Sequence, residues 1–367
     1  MISRIQRSNE SSGSEARGDA LVELACLGRN SSEQVNRTEH NQGRGLRMWW
    51  RRLIVLGVIV VSSAAVSPSD AADGRQSLSL LLFSRGFEFM VALDQGAKHE
   101  AAKEGVNLTV LDGQSSATVQ TGQVDDLITK KVSALLISPA NSQEIVPAVR
   151  RANEAKIPVV AVDGIVAPGG RVVTYVGFDN AAGAKVAAEY LLQHHAKKIL
   201  EVQGAQGEYH AQLRHKGLME GLSADPSVKV ISRPAEWLAE KAQSMTADAL
   251  TADPTIDAIF SHNDEMIRGI VAGLKQIGKF KKPGEEGHII IVGIDGTPLA
   301  LQRIRNGEED ATVQQDPFVM GALAVQSAIN ALAGKESPPQ QLLPPTLVTK
   351  DNVDTPTLWG NVFKPGT

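Results

Sequence analysis

Two stretches of this sequence rhyme: Val159-Val160-Ala161-Val162-Asp163-Gly164 and Ile291-Val292-Gly293-Ile294-Asp295-Gly296. Each ends an aliphatic run with a carboxylate followed by glycine. A carboxylate accepts two hydroxyl hydrogen bonds, and bonds to ionised groups are the stronger kind, so one carboxylate in each half of a molecule could hold a hydroxylated ligand from both sides. Taken singly, Asp-Gly also serves as an ordinary turn. The run Phe260-Ser261-His262-Asn263-Asp264-Glu265-Met266 offers an amide and carboxylates at a helix start, where Asn or Asp is also a common N-cap. Ser84, Arg85, Pro139-Ala140-Asn141 and Gln203-Gly204 follow similar aliphatic runs. Phe87, Phe89 and Trp237 are scarce aromatics near loop ends, where core packing is the alternative role. The turn Gly204-Ala205-Gln206-Gly207 could cradle an anion with backbone N–H groups, but it lacks the Lys-Ser or Lys-Thr pair of a phosphate loop.

Signatures of turnover are missing. No Gly-x-Ser-x-Gly elbow is present, and the histidines, His194-His195 included, show no metal-ligand spacing. The isolated carboxylates do not divide into an acid and a base. A polar cleft without nucleophile or metal points to binding, not to an enzyme, and no cofactor is expected.

The elements that must position these residues alternate. Leu78 to Phe83 reads as a buried strand, and Phe89 to Lys103 as a helix stopped by Gly105. The cycle continues with strand 108–111, helix 118–131, strand 134–138, helix 142–155 and strand 159–162. After strand 172–176 it restarts: helix 180–195, strand 199–202, helix 208–223, strand 228–232, helix 236–252, strand 258–261, helix 264–277 and strand 289–294. Continuous apolar strands imply sheets covered on both faces, the parallel pattern. The expected fold is α/β, with two doubly wound parallel-sheet lobes and a ligand cleft at the strands' carboxyl ends. No long linker separates the lobes, which join near Gly177.

The first 75 residues do not belong to that pattern. Residues 1–47 are polar, without aromatic residues or periodicity, and read as a disordered or wrongly assigned extension. Met48-Trp49-Trp50-Arg51-Arg52, the apolar run Leu53 to Val61 and the small residues after it have the layout of a secretory signal peptide, 48–72. The run is too short for a membrane span, which needs about 20 apolar residues. Translation is therefore expected to begin at Met48, with the cleaved protein exported to the periplasm. Cys26, the one cysteine of 367 residues, falls in the extension. The chain is 42% hydrophobic, and 37 Lys and Arg stand against 41 Asp and Glu, a balance unsuited to nucleic acid.

From about Leu78 to Thr349 the chain resembles the periplasmic sugar-binding proteins of the ribose-binding type. Their type I periplasmic-binding fold is shared with the effector domains of lactose-repressor-type regulators. The resemblance is carried most strongly by Asn263-Asp264-Glu265-Met266 and Val292-Gly293-Ile294-Asp295-Gly296-Thr297-Pro298. Leu93 to Ala97, Val160 to Asp163, Phe178-Asp179-Asn180 and Ala311-Thr312-Val313-Gln314-Gln315 add to it. It implies three crossings between lobes, near Gly177, Gln315 and Pro345. Lobe one would be 76–177 plus 316–345, and lobe two 178–315 plus 346–367.

By position, the resemblance makes Asp163, Asn263, Asp295 and Gln315 the hydrogen-bonding residues, and Phe89 and Trp237 the aromatic walls. Ser84, Phe87 and Gln212 complete the expected site. Gly164 stands where ribose binders carry Arg. A second family Arg aligns with Gln212, with Arg214 two residues on. Phe87 aligns approximately with an Asn and Met90 with an aromatic, so a sugar or polyol other than ribose is expected. The function implied is a monomeric periplasmic solute-binding protein that delivers its ligand to a membrane ABC permease. A sensor docking on a chemoreceptor or sensor kinase is the alternative, with a sugar-acting enzyme behind both.

Overall fold

The computed structural model describes residues Arg75–Lys364. The expected extension and signal peptide, with Cys26, lie outside the described residues. The chain begins with β1 (Ser77–Leu82), α1 (Glu88–Glu104), β2 (Asn107–Asp112), α2 (Ala117–Thr129), β3 (Ala134–Ile137), α3 (Val146–Glu154), β4 (Val159–Val162) and β5 (Tyr175–Phe178). It continues with α4 (Asn180–Gln193), β6 (Lys198–Gln203), α5 (Tyr209–Leu222), β7 (Lys229–Pro234), α6 (Ala239–Ala252), β8 (Ala258–Ser261), α7 (Asp264–Gln276) and β9 (Ile290–Asp295). Last come α8 (Pro298–Asn306), β10 (Ala311–Gln314), α9 (Pro317–Leu332), β11 (Gln340–Leu343), β12 (Thr346–Thr349) and α10 (Trp359–Val362).

These strands form two six-stranded sheets, ordered β2-β1-β3-β4-β5-β11 and β7-β6-β8-β9-β10-β12. β3, β4 and β8 are buried along their whole length, as the unbroken aliphatic sequences of β3 and β4 require when helices cover both faces. The chain passes between sheets after β5, after β10 and between β11 and β12. Among the described residues all pairings are parallel except one. β12 runs antiparallel to β10, with Thr346 opposite Gln314 and Thr349 opposite Ala311. The reason lies in the sheet pairing: β11 ends level with Phe178, at the end of β5 that leads into the second sheet. The chain then enters the second sheet beside the carboxyl end of β10 and can only run back along it.

Two helices start later than their patterns suggest. α3 begins at Val146, not 142, because the Asn141 Oδ1 accepts the N–H groups of Gln143 and Glu144 at 2.9 and 3.0 Å, closing a turn first. α6 begins at Ala239, not 236, because Glu236 and Trp237 are left-handed, with φ of 55° and 66°. Elsewhere side-chain caps fall where the sequence supplies them, Asp179 on α4, Thr297 on α8 and Asp316 on α9.

Helix α5, which carries one wall of the site described below, packs closely on α4. A Cβ added at Gly217 would lie 2.1 Å from the Ala181 carbonyl oxygen. Because that obstacle is main chain, the helices must separate. Gly217→Ala is expected to cost about 1–3 kcal/mol, read as a lowered urea midpoint; an unchanged midpoint would mean that α5 shifts freely. Among the described residues no helix is long and apolar enough to cross a membrane.

Candidate ligand cleft

In each sheet the strand order reverses beside the first strand, between β1 and β3 and between β6 and β8. Ligands of wound sheets bind outside the strand carboxyl ends at such points. A cavity of about 550 Å³, its mouth included, lies there. Phe83, Phe87, Phe89, Met90, Pro139 and Asp163 line it from the first lobe. Glu208, His210, Arg214, Trp237, Asn263 and Asp295 line it from the second, with Gln315 on the crossing after β10.

Asp163 follows β4 in the left-handed region, with φ 61°. Its Oδ2 accepts the Ser138 hydroxyl at 3.2 Å, and its main-chain oxygen accepts Tyr175 Oη–H at 2.7 Å and His210 Nε2–H at 2.8 Å. The bond from His210 joins the two lobes. Asp295 ends β9 with φ 137°, accepts Gln315 Nε2–H at 2.6 Å, and lies 3.8 Å from the nearest Arg214 nitrogen. Asn263 caps α7 through Oδ1, which accepts the Met266 N–H at 3.0 Å, and so keeps its Nδ2 for the cavity. Trp237 donates Nε1–H to Glu208 at 3.0 Å and has the Arg214 guanidinium 5.6 Å from its ring centroid. Positive φ at Asp163, Trp237 and Asp295 concentrates strain in one cavity, at on the order of 1–3 kcal/mol each.

In the turn 204–207 the structure gives Gly204 a steric role. A Cβ at Gly204 would lie 2.1 Å from the Trp237 indole, so the glycine makes room for the ring. Arg214 is buried behind that ring. Its Nε–H donates to Asn180 Oδ1 at 2.7 Å, and a terminal N–H donates to the main-chain oxygen of His262.

Burial sets the electrostatics. It pushes Asp295 up to about 7 against the pull of Arg214, with Asp264 and Asp163 pushing the same way. It raises Asp163 as well, opposed by His210 and Arg214. Burial works to lower His210, but the carboxylates of Glu208 and Asp163 outweigh it and the net shift is upward. Beneath the cavity, burial opposes ionisation of Glu201, yet hydrogen bonds from His262, Ser232 and His215 hold its carboxyl below the usual range.

Of the residues expected from the sequence, Phe87, Phe89, Asp163, Trp237, Asn263, Asp295 and Gln315 come together around the cavity. Ser84 and Gln212 are not among its lining residues. The Ser84 hydroxyl accepts the Gly86 N–H at 3.2 Å in its own turn. Gln212 is exposed and donates to the Gln206 carbonyl at 3.1 Å. Residues four apart share a helix face, so His210 and Arg214 both reach the cavity while Gln212, halfway between, points away. The guanidinium that Gln212 lacks is thereby present as Arg214. Glu208, His210 and Arg214 escaped the sequence reading as wall residues; the His210/Arg214 spacing at a helix start was the signal that could have found them.

The model of the periplasmic binding protein domain matches residues 78–336. The ribose import binding protein of Salmonella typhimurium is 33% identical over 288 residues, covering 78% of this chain and 94% of that protein. Among solved structures, an ABC transporter solute-binding protein from Actinobacillus succinogenes with bound D-allose superimposes with a TM-score of 0.70 at 27% identity, covering 76% of this chain and 99% of the other. The Caulobacter myo-inositol-binding protein, bound to myo-inositol, gives 0.70 at 26% identity over 76% and 94%.

Proposed function

The chain belongs to the periplasmic binding protein domain family, and from that premise we propose that it captures a sugar or polyol between its lobes and delivers it to a membrane ABC permease. One observation carries the reading: hydrogen-bonding side chains from both lobes and aromatic rings line a single cavity, and His210 Nε2–H bonds the Asp163 carbonyl across it. A ligand gripped by both lobes favours their closed arrangement by its differential affinity for that state. The family is one of binding domains, and this chain is a binding protein, not an enzyme. Export through the 48–72 signal peptide and action as a monomer belong to the same proposal.

The test is a thermal-shift screen over pentoses, hexoses and cyclitols, since a ligand that binds the native state alone raises its stability. A hit is expected to be lost or weakened in Trp237→Ala, with the apo protein still folded because the ring is only half-buried. Fluorescence alone does not isolate Trp237. Trp359 is 1% exposed and donates its indole N–H to the main-chain oxygen of Asp295 at 2.7 Å. Both tryptophans should respond to ligand, and the Trp237→Phe difference spectrum separates them. A panel without any shift, amino sugars included, would overturn the sugar reading.

A further inference from the structure

Hydrogen-bonding capacity is left open on the cleft walls. Gln315 is 3% exposed, and its Oε1 is buried without a partner while its Nε2–H is spent on Asp295. Asp163 uses Oδ2 on Ser138, and its Oδ1 has His210 no nearer than 4.0 Å. Glu208 uses Oε2 on Trp237, and Asp295 uses Oδ1 on Gln315, leaving one oxygen free on each. Donors are also open: Asn263 offers Nδ2, Gln315 keeps a second Nε2–H, and Arg214 keeps the N–H groups not committed to Asn180 and His262. What distinguishes these walls is that three of the four open acceptors are carboxylate oxygens.

The charge of the walls favours a cation. Asp163 at the end of β4, Glu208 before α5 and Asp295 at the end of β9 face one permanent cation among the described lining residues, Arg214. His210 lies between Asp163 and Glu208, 4.0 and 3.8 Å from their carboxylates, and even when it is protonated three fully ionised carboxylates would outnumber the two cations. Tyr175 on β5 stays neutral, its ionisation suppressed by burial. Asp264, behind Asp295 on α7, adds to the pressure on it, although Arg303 partly offsets Asp264 itself. Without a further cation the three carboxylates crowd one another in a buried site, and burial pushes Asp295 up to about 7. Phe83, Phe87, Phe89 and Trp237 share the lining, and aromatic faces attract cations most strongly where water is excluded. An anionic sugar acid or phosphate would meet repulsion.

We propose, resting on the reading of this cleft as a site for a hydroxylated ligand, that the ligand carries a protonated amine: an amino sugar or amino-substituted polyol whose ammonium lies among Asp163, Glu208, Asp295 and the aromatic rings. The hydroxyls satisfy Gln315 and Asn263. The ammonium supplies the missing cation, which draws the Asp295 carboxyl into its ionised form, so binding releases a proton near neutral pH.

The experiment is titration calorimetry with D-glucosamine, D-galactosamine and D-mannosamine, each against its parent hexose, with N-acetyl-D-glucosamine as the uncharged control. Each pair is run at pH 7 in two buffers of different ionisation heat. At least one amine is expected to bind about tenfold or more tightly than its parent, with net proton release that the parent lacks. The preference should shrink above the amine's own pKa and fall in Glu208→Gln. Parent hexoses binding as tightly as their amines, or N-acetyl-D-glucosamine matching glucosamine, would overturn the proposal while leaving sugar capture standing. Silence from every amine overturns it too, and takes sugar capture with it only if the wider neutral panel is also silent.

Discussion

Arg214→Met is expected to lower the stability of the apo protein by about 3–5 kcal/mol, the cost of removing one partner from a buried charged cluster. Arg214 is 4% exposed and joins three elements of the second lobe: Asn180 at the start of α4, the main-chain oxygen of His262 after β8, and Asp295 at the end of β9, 3.8 Å away. A methionine fills similar volume but leaves the Asn180 and His262 acceptors without a donor and Asp295 without its cation. Arg214→Lys should recover only part of the loss, because an ammonium on a flexible stem cannot serve diverging acceptors as a planar guanidinium does. Pairing Arg214→Met with Asp295→Asn should be milder than the sum of the single changes, since the second removes the charge that the first strands. Urea midpoints of the parent, the single variants and the pair measure all of this. An Arg214→Met protein as stable as the parent would show that the guanidinium is no structural keystone.

What the sequence disclosed and what it hid divide along physical lines. Asp163 and Asp295 were legible because a parallel strand buried on both faces reads as an unbroken aliphatic run, and the residue ending it must leave the sheet at the ligand-binding edge. Asn263 was legible as a cap. Gln212 was misplaced because counting along a helix is not the same as following its face: a shift of two residues turns a side chain to the opposite side. The role of Gly204 was hidden because it depends on Trp237, which reaches it only through the fold. The link from Trp359 to Asp295 spans 64 residues and leaves no local pattern to read. The direction of β12 was likewise set by where the chain re-enters the second sheet, a tertiary matter that no propensity records.

Asp295→Asn should separate what the cleft does for binding from what it does to stability. For binding, the change removes a charged acceptor, and affinity for whichever sugar the screen returns should fall by about 1.5–3 kcal/mol, the range for a hydrogen bond to an ionised group. For stability the sign depends on pH. Burial raises the carboxyl from its ordinary 3.8 to about 7 in the folded protein, against the opposing pull of Arg214. The folded state therefore holds this proton more tightly than the unfolded chain does. The stability it contributes is complete below the unfolded value and is lost as pH rises through the folded one. Above that point wild type carries a desolvated carboxylate, whereas the variant carries a neutral amide. Asp295→Asn should leave the ligand-free protein near wild type at pH 5 and more stable at pH 8.5, by on the order of 1–3 kcal/mol. Thermal midpoints across that range, taken without sugar, give the comparison directly. Parallel curves would mean that Asp295 is ionised throughout; a crossing would identify it as a residue held for its ligand at a standing cost to the fold, in the manner of strained or destabilised functional sites.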